Sequence, residues 1–175
     1  MPNWCENLMV LKHPDPAQMT SVRQAIEKEE DGFFNSIKPI PVFGDDPEAN
    51  KAAFGYEGCY DFCCTEWGTK WDIRHQECEF RDEGETMAVV FETAWSPPVG
   101  IYQELYKRGF RVEAYWLEEG MAFCGQFFNG KHAHYDLPDT AESARQLIPE
   151  RVLEEMAILE RVYDQMDEHM EGVEP

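Results

Sequence analysis

Basic residues are scarce in this chain. Fifteen Lys and Arg stand against 35 Asp and Glu, a formal charge of -20. A field of that sign repels phosphate backbones and anionic bilayers, so direct nucleic-acid binding and membrane association are not expected. The same charge suits a partner with a basic face, and it also keeps an ordinary protein dispersed. Long apolar runs are missing too. None approaches the ~18 residues of a membrane span, and Met1 to Asn7 offers neither a basic n-region nor an apolar h-region, so a cytoplasmic protein is expected. The G-x-S-x-G elbow, the P-loop, the Rossmann glycine fingerprint and H-E-x-x-H are all absent, so no catalytic residue and no cofactor is assigned.

Cysteines number six, at positions 5, 59, 63, 64, 78 and 124. The chain is not a small secreted scaffold, so they read as free and mostly buried thiols. Cys59, Cys63 and Cys64 with His132 and His134 match no paired zinc spacing, and the histidines fall in another hairpin. No metal site is expected.

What is present is material for one core. At 175 residues, 43% hydrophobic and 13% aromatic, the chain fits a single domain with an appendage. Leu8 to Leu11 form an apolar run suited to a central strand buried on both faces. Asp15-Pro16 opens a helix whose Met19, Val22 and Ile26 share a face. From Phe33 to Gly58 the pattern dissolves into prolines, glycines and acids, a functional loop or flexible insert. Cys59, Phe62, Cys63 and Trp67 then recur at helical spacing up to Gly68.

Trp71 and Ile73 read as the start of a strand with a bulge near His75 to Glu77, which pairs through Asp82-Glu83-Gly84 with an alternating strand from Met87 to Trp95. Ser96-Pro97-Pro98 reads as a helix start and Lys107-Arg108-Gly109 as its end. Strands follow at Val112 to Trp116, Met121 to Phe127 and Lys131 to Tyr135. The order predicts an α+β, ferredoxin-like βαββαβ antiparallel sheet with helices on one face, plus a C-terminal β-hairpin, over residues 1–137 with an insert at about 35–58. An acidic helical extension over 138–175 carries a heptad stripe of Val152, Met156, Leu159, Tyr163, Met166 and Met170, predicting a long C-terminal helix that could dock a partner helix but at this length is more often laid back on its own domain.

One stretch concentrates unusual chemistry. Glu66, Trp67, Thr69, Lys70, Trp71 and Asp72 crowd a helix-to-strand junction, where two indoles can wall a pocket with charged anchors. The plainer reading is a structural junction with Gly68 turning tightly, the indoles in the core and Lys70 paired with an acid. Trp95 and Ser96 end a strand and open a helix; Pro97 and Pro98 remove two donors an anion would need, which favours a helix cap.

Three ordered segments, Pro2-Asn3-Trp4-Cys5-Glu6-Asn7, Glu66 to Asp72, and Thr93-Ala94-Trp95-Ser96-Pro97-Pro98, resemble the YubB-like family, with Tyr115, Glu118, Gly120, Phe123 and Gly125 extending the match over roughly residues 1–128. That family comprises uncharacterised proteins of bacterial plasmids and phages with a ferredoxin-like domain. The resemblance implies a fold and a setting, and it carries no catalytic residue. Asn3 and Asn7, flanking Trp4, are expected to cap or bridge loops near the middle segment.

Three functions stay open. The first is a non-enzymatic binding protein holding a small ligand or peptide around Asn3, Trp4, Asn7, Glu66, Trp67, Thr69, Lys70, Trp71, Asp72, Trp95 and Ser96. The second is an acidic protein of the nucleic-acid-mimic type that binds a basic host protein. The third is an enzyme using Glu66 or Asp72 as acid or base.

Overall fold

The first strand shows how the sequence builds the sheet. Along β1 (Trp4–Lys12), Cys5, Asn7, Met9 and Leu11 are buried while the residues between them are half covered, so one face carries the main core and the other a thinner one. The computed structural model describes residues 3–28, 32–73, 78–83 and 85–161. Helix α1 (Pro16–Glu27) starts where Asp15 accepts from the Ala17 amide and Pro16 occupies the first turn, and it turns Val22 and Ile26 inward.

The segment read above as a structureless insert contains α2 (Phe33–Ile37) and α3 (Pro47–Phe54). The signals for α3 are ordinary ones, Asp46 capping the Glu48 and Ala49 amides and Gly55 closing the helix in the left-handed region. Next, α4 (Cys59–Phe62) runs into a π-helical turn at Cys63–Trp67 that ends at Gly68. Trp71 and Ile73 lie outside any strand, contrary to the alternation reading; the expected bulge falls outside the described residues.

Strands β2 (Glu79–Phe80) and β3 (Met87–Ala94) pair antiparallel, α5 (Val99–Lys107) follows, and β4 (Arg111–Glu118), β5 (Phe123–Phe128) and β6 (Lys131–Asp136) complete the sheet. The spatial order is β2-β3-β1-β4-β5-β6 with every neighbour antiparallel. Its first four strands, with α1 and α5 as the crossovers, trace the ferredoxin-like βαββαβ path.

Helices on one face alone is a reading the structure corrects. Met9, Leu11, Val89, Phe91, Leu105, Trp116 and Phe127 form the main core on one side of the sheet with residues of α1, α2 and α5. On the other side Tyr115, Leu117 and Cys124 are covered by Ile148, Val152, Leu153, Met156 and Ile158. Among the described residues the C-terminal segment holds α6 (Ala141–Leu147) and α7 (Glu150–Glu155), separated at Ile148-Pro149, and the expected long helix is not found there. Val152 and Met156 of the expected heptad stripe are buried on the sheet, and Tyr163, Met166 and Met170 lie outside the described residues.

Candidate functional site

Three distant segments meet at one end of the central strands. Trp4 pairs with Ala94 across β1 and β3, and the Trp95 amide donates to the Asn3 carbonyl at 2.9 Å, joining the first segment to the third. Thr69 Oγ1 donates to the Ala94 carbonyl at 3.0 Å and Ser96 Oγ to the Gly68 carbonyl at 2.5 Å, joining the second to the third. Gly68 is left-handed at φ 91°, and a Cβ there would sit 2.9 Å from the Pro97 carbonyl oxygen, so the junction needs glycine on both counts. The Trp4 and Trp71 rings, 6.5 Å apart and tilted by 47°, close the triangle.

The result is an exposed aromatic surface. Trp4 and Trp71 are each 46% exposed and Trp95 39%. Lys70 lies among them, its Nζ 4.0 Å from the Trp71 ring centroid and 4.5 Å from that of Trp95. No carboxylate among the described residues pairs with Lys70. The ion pair expected at the junction is therefore replaced by two cation–π contacts. Trp95 has φ 68°, a region that a bulky aromatic rarely occupies.

Other residues of the middle segment point inward, which corrects their assignment to a pocket. Trp67 is 2% exposed, makes edge contacts with Phe34 and Phe62, and donates from Nε1 to the Lys38 carbonyl at 2.8 Å. Glu66 is paired with the Lys38 ammonium and accepts from the Tyr56 hydroxyl, and those two partners hold its carboxyl below the usual 4.5. Asp72 accepts from the Phe34, Asn35 and Ile73 amides at 2.8–2.9 Å. Burial nonetheless pushes its carboxyl above the ordinary 3.8, outweighing those bonds. Glu66, Trp67 and Asp72 thus staple the insert to the domain. Lys38 and Tyr56, which complete that staple, were not singled out by sequence, because each pairing spans more than the local window.

Ser96 does not cap α5, whose N-cap position is Pro98 with no side-chain bond; its hydroxyl serves the Gly68 carbonyl instead. Asn7 bonds within β1 and to β3 and α5 rather than to the middle segment. It is fully buried, donating to the Cys5 carbonyl at 2.7 Å and Thr93 Oγ1 at 2.9 Å and accepting from the Tyr102 hydroxyl at 2.9 Å. Asn3 sets its side chain against Gly120, where a Cβ would meet Nδ2 at 2.4 Å. Cys59 and Cys63 face each other with sulfurs 3.8 Å apart on one helix, whereas His134 packs on Phe123 in β5 and β6.

The two larger clefts given by the described residues lie elsewhere. One, of about 520 Å³, is bordered by Lys12, Met19, Arg23, Asp82 and Glu85, and its charges pair with one another as Lys12–Glu85 and Arg23–Asp82. The other, of about 550 Å³, is bordered by Arg145, Leu153 and three glutamates of the C-terminal segment. The one buried side-chain polar atom without a partner among the described residues, Trp116 Nε1, lines neither.

The family described as the ferredoxin-like domain in Api92-like protein matches residues 66–161, more than half of the sequence. The chain belongs to this family. The matched stretch takes in Lys70, Trp71 and Trp95 and leaves Trp4 outside it. Among solved structures the chain is similar to the crystal structure of a protein api92 from Yersinia pseudotuberculosis, with 9% identity, a TM-score of 0.50, and coverage of 79% of this chain and 99% of that one. At that identity the likeness speaks to the fold alone. No curated protein matches the chain. The YubB-like resemblance agrees with the family on a ferredoxin-like domain; its name and its plasmid or phage setting find no support in either match.

Proposed function

We propose that the protein is a non-enzymatic binding protein that holds a small ligand or peptide on the surface formed by Trp4, Lys70, Trp71 and Trp95. The observation that carries this reading is the gathering of three half-exposed indoles from three separate segments, two of them holding one lysine and the third set against Trp71. Indole is the side chain most often found anchoring a recognition surface, and a fold with room for Trp67 and Trp116 in its core had no need to leave three others outside. The left-handed Trp95 adds to this, since strain of that kind gathers at functional positions.

Catalysis by Glu66 or Asp72 draws no support from their surroundings, as both carboxylates are already engaged with the insert. The acidic-mimic reading rests on net charge alone, and several of the carboxylates are taken up internally, Glu6 and Glu119 by Arg161 among them. A plasmid or phage setting is part of the proposal only through the YubB-like resemblance, and a cytoplasmic location only through the sequence reading of a chain too large for a small disulfide-stapled secreted scaffold.

The test is a titration of the indole-labelled chain with small-molecule fragments and short peptides, read at the tryptophan Nε1–H resonances. Binders are expected to shift Trp4, Trp71 and Trp95 and spare Trp67 and Trp116. Binders that leave the first three unmoved would overturn the reading.

A further inference from the structure

We infer that the group recognised by this surface is an alkylammonium, a quaternary or methylated amine, and that Lys70 is the built-in occupant such a group displaces. The inference rests on the binding reading above and adds the chemistry of the ligand. Two indole faces already hold an ammonium, at 4.0 and 4.5 Å from the ring centroids, inside the ~6 Å range over which a ring quadrupole attracts a cation. The geometry is that of an aromatic cage, and the lysine stands where a ligand's charge would stand. Trp4, 6.5 Å from Trp71, lengthens the apolar wall beside it.

The charge balance favours the same class. An anion would approach through the field of a chain of -20 and meet, among the described residues at the indoles, one lysine. A neutral apolar group would cover the indoles without drawing on their negative faces. A cation gains from both the field and the rings. Among cations, a primary ammonium is the strongly hydrated kind that Lys70 itself supplies, so an incoming rival succeeds best when it sheds water easily. Methylated and quaternary amines do so.

A tethered occupant competes with every free ligand at the effective concentration set by its short tether. Affinity for a free cation is then reduced by the fraction of molecules whose cage is filled. Removing the lysine side chain must therefore tighten binding, a result opposite to that expected of a lysine that contacts the ligand.

The test titrates the full chain, Lys70→Ala and Trp71→Ala with tetramethylammonium, with choline and with 3,3-dimethylbutanol, the uncharged isostere of choline, again at the indole Nε1–H resonances. The buried Trp67 and Trp116 signals report that each variant is folded. The expected result is saturable shifts of the exposed indoles by both cations, binding on the order of tenfold tighter in Lys70→Ala, loss in Trp71→Ala, and clearly weaker binding of the alcohol. Equal binding of choline and its isostere, or weaker cation binding in Lys70→Ala, overturns the ammonium inference and leaves the binding reading standing. No response of the folded Lys70→Ala chain to either cation also overturns it, and if fragments and peptides spare the same indoles, the binding reading falls as well.

Discussion

Within the seven residues from Glu66 to Asp72, two populations of side chains part company. Trp67, Thr69 and Asp72 turn into the domain, where each meets a partner from a distant segment: the Lys38 carbonyl, the Ala94 carbonyl and the amides of α2. Lys70 and Trp71 turn out, and their neighbours are Trp95 and Trp4. Residue type does not separate the two groups, since each contains a tryptophan and a charge. The left-handed turn at Gly68 redirects the chain after Trp67, and beyond it Lys70 and Trp71 turn outward while Thr69 and Asp72 are bonded inward, so the division runs residue by residue. A run dense in tryptophan and charge is therefore half scaffold and half surface, and its composition overstates the site.

The inward half should dominate stability. Trp67→Ala empties a buried aromatic cluster and leaves the Lys38 carbonyl without its donor, an expected loss of about 3–5 kcal/mol in a urea unfolding series. Asp72→Ala strips acceptors from the Phe34, Asn35 and Ile73 amides, and the same series should show about 1–3 kcal/mol. If either variant unfolds like the parent, the division between inward and outward side chains is wrong.

Glu66 and Asp72 sharpen the contrast through pH, because their carboxyls pull stability in opposite directions. Partners hold Glu66 below its ordinary value, so its contribution is present above pH 4.5 and is lost as pH falls through the lower folded value. Burial holds Asp72 above its ordinary value, so its contribution is complete below pH 3.8 and is lost as pH rises through the higher folded value. Glu66→Gln should cost on the order of 1 kcal/mol at pH 7, and its gap from the parent should close on acidification. For Asp72→Asn the gap should widen instead. Parallel curves for the two variants would contradict the assigned causes.

Elements set by local chemistry were legible in the sequence. Asp15-Pro16 placed the start of α1, alternation placed β3 and β4, and the order of elements led to a ferredoxin-like domain. The failures differ in cause. In the insert, α2 and Lys38 just beyond it are held by side chains from far along the chain, through Asp72, Glu66 and Trp67, whereas α3 carries local signals at Asp46 and Gly55 that the density of prolines and acids obscured. The sequence favours a stripe laid back on its own domain; which face of the sheet it covers was not legible, because only the tertiary path to Tyr115 and Leu117 decides. At the site, the tryptophan segments were visible by composition, yet their meeting depends on the β1–β3 register, and which indoles stay outside depends on backbone angles that no residue type announces.

Trp95 offers the smallest expected effect and the finest probe of the outward half. At φ 68° a non-glycine residue carries a backbone cost of roughly 1–2 kcal/mol, which asparagine tolerates far better than alanine. Trp95→Ala and Trp95→Asn both delete the ring and its contact with Lys70, so the packing loss is shared and cancels in their difference. What remains is the backbone term, and Trp95→Asn should be the more stable of the two by up to about 1 kcal/mol in matched thermal melts. Both should lose any ligand shift at Trp71 if the two rings act as one cage. Equal melting temperatures would mean that the turn after Ala94 bears no strain at that position, and the support that Trp95 lends to a functional surface would rest on exposure alone.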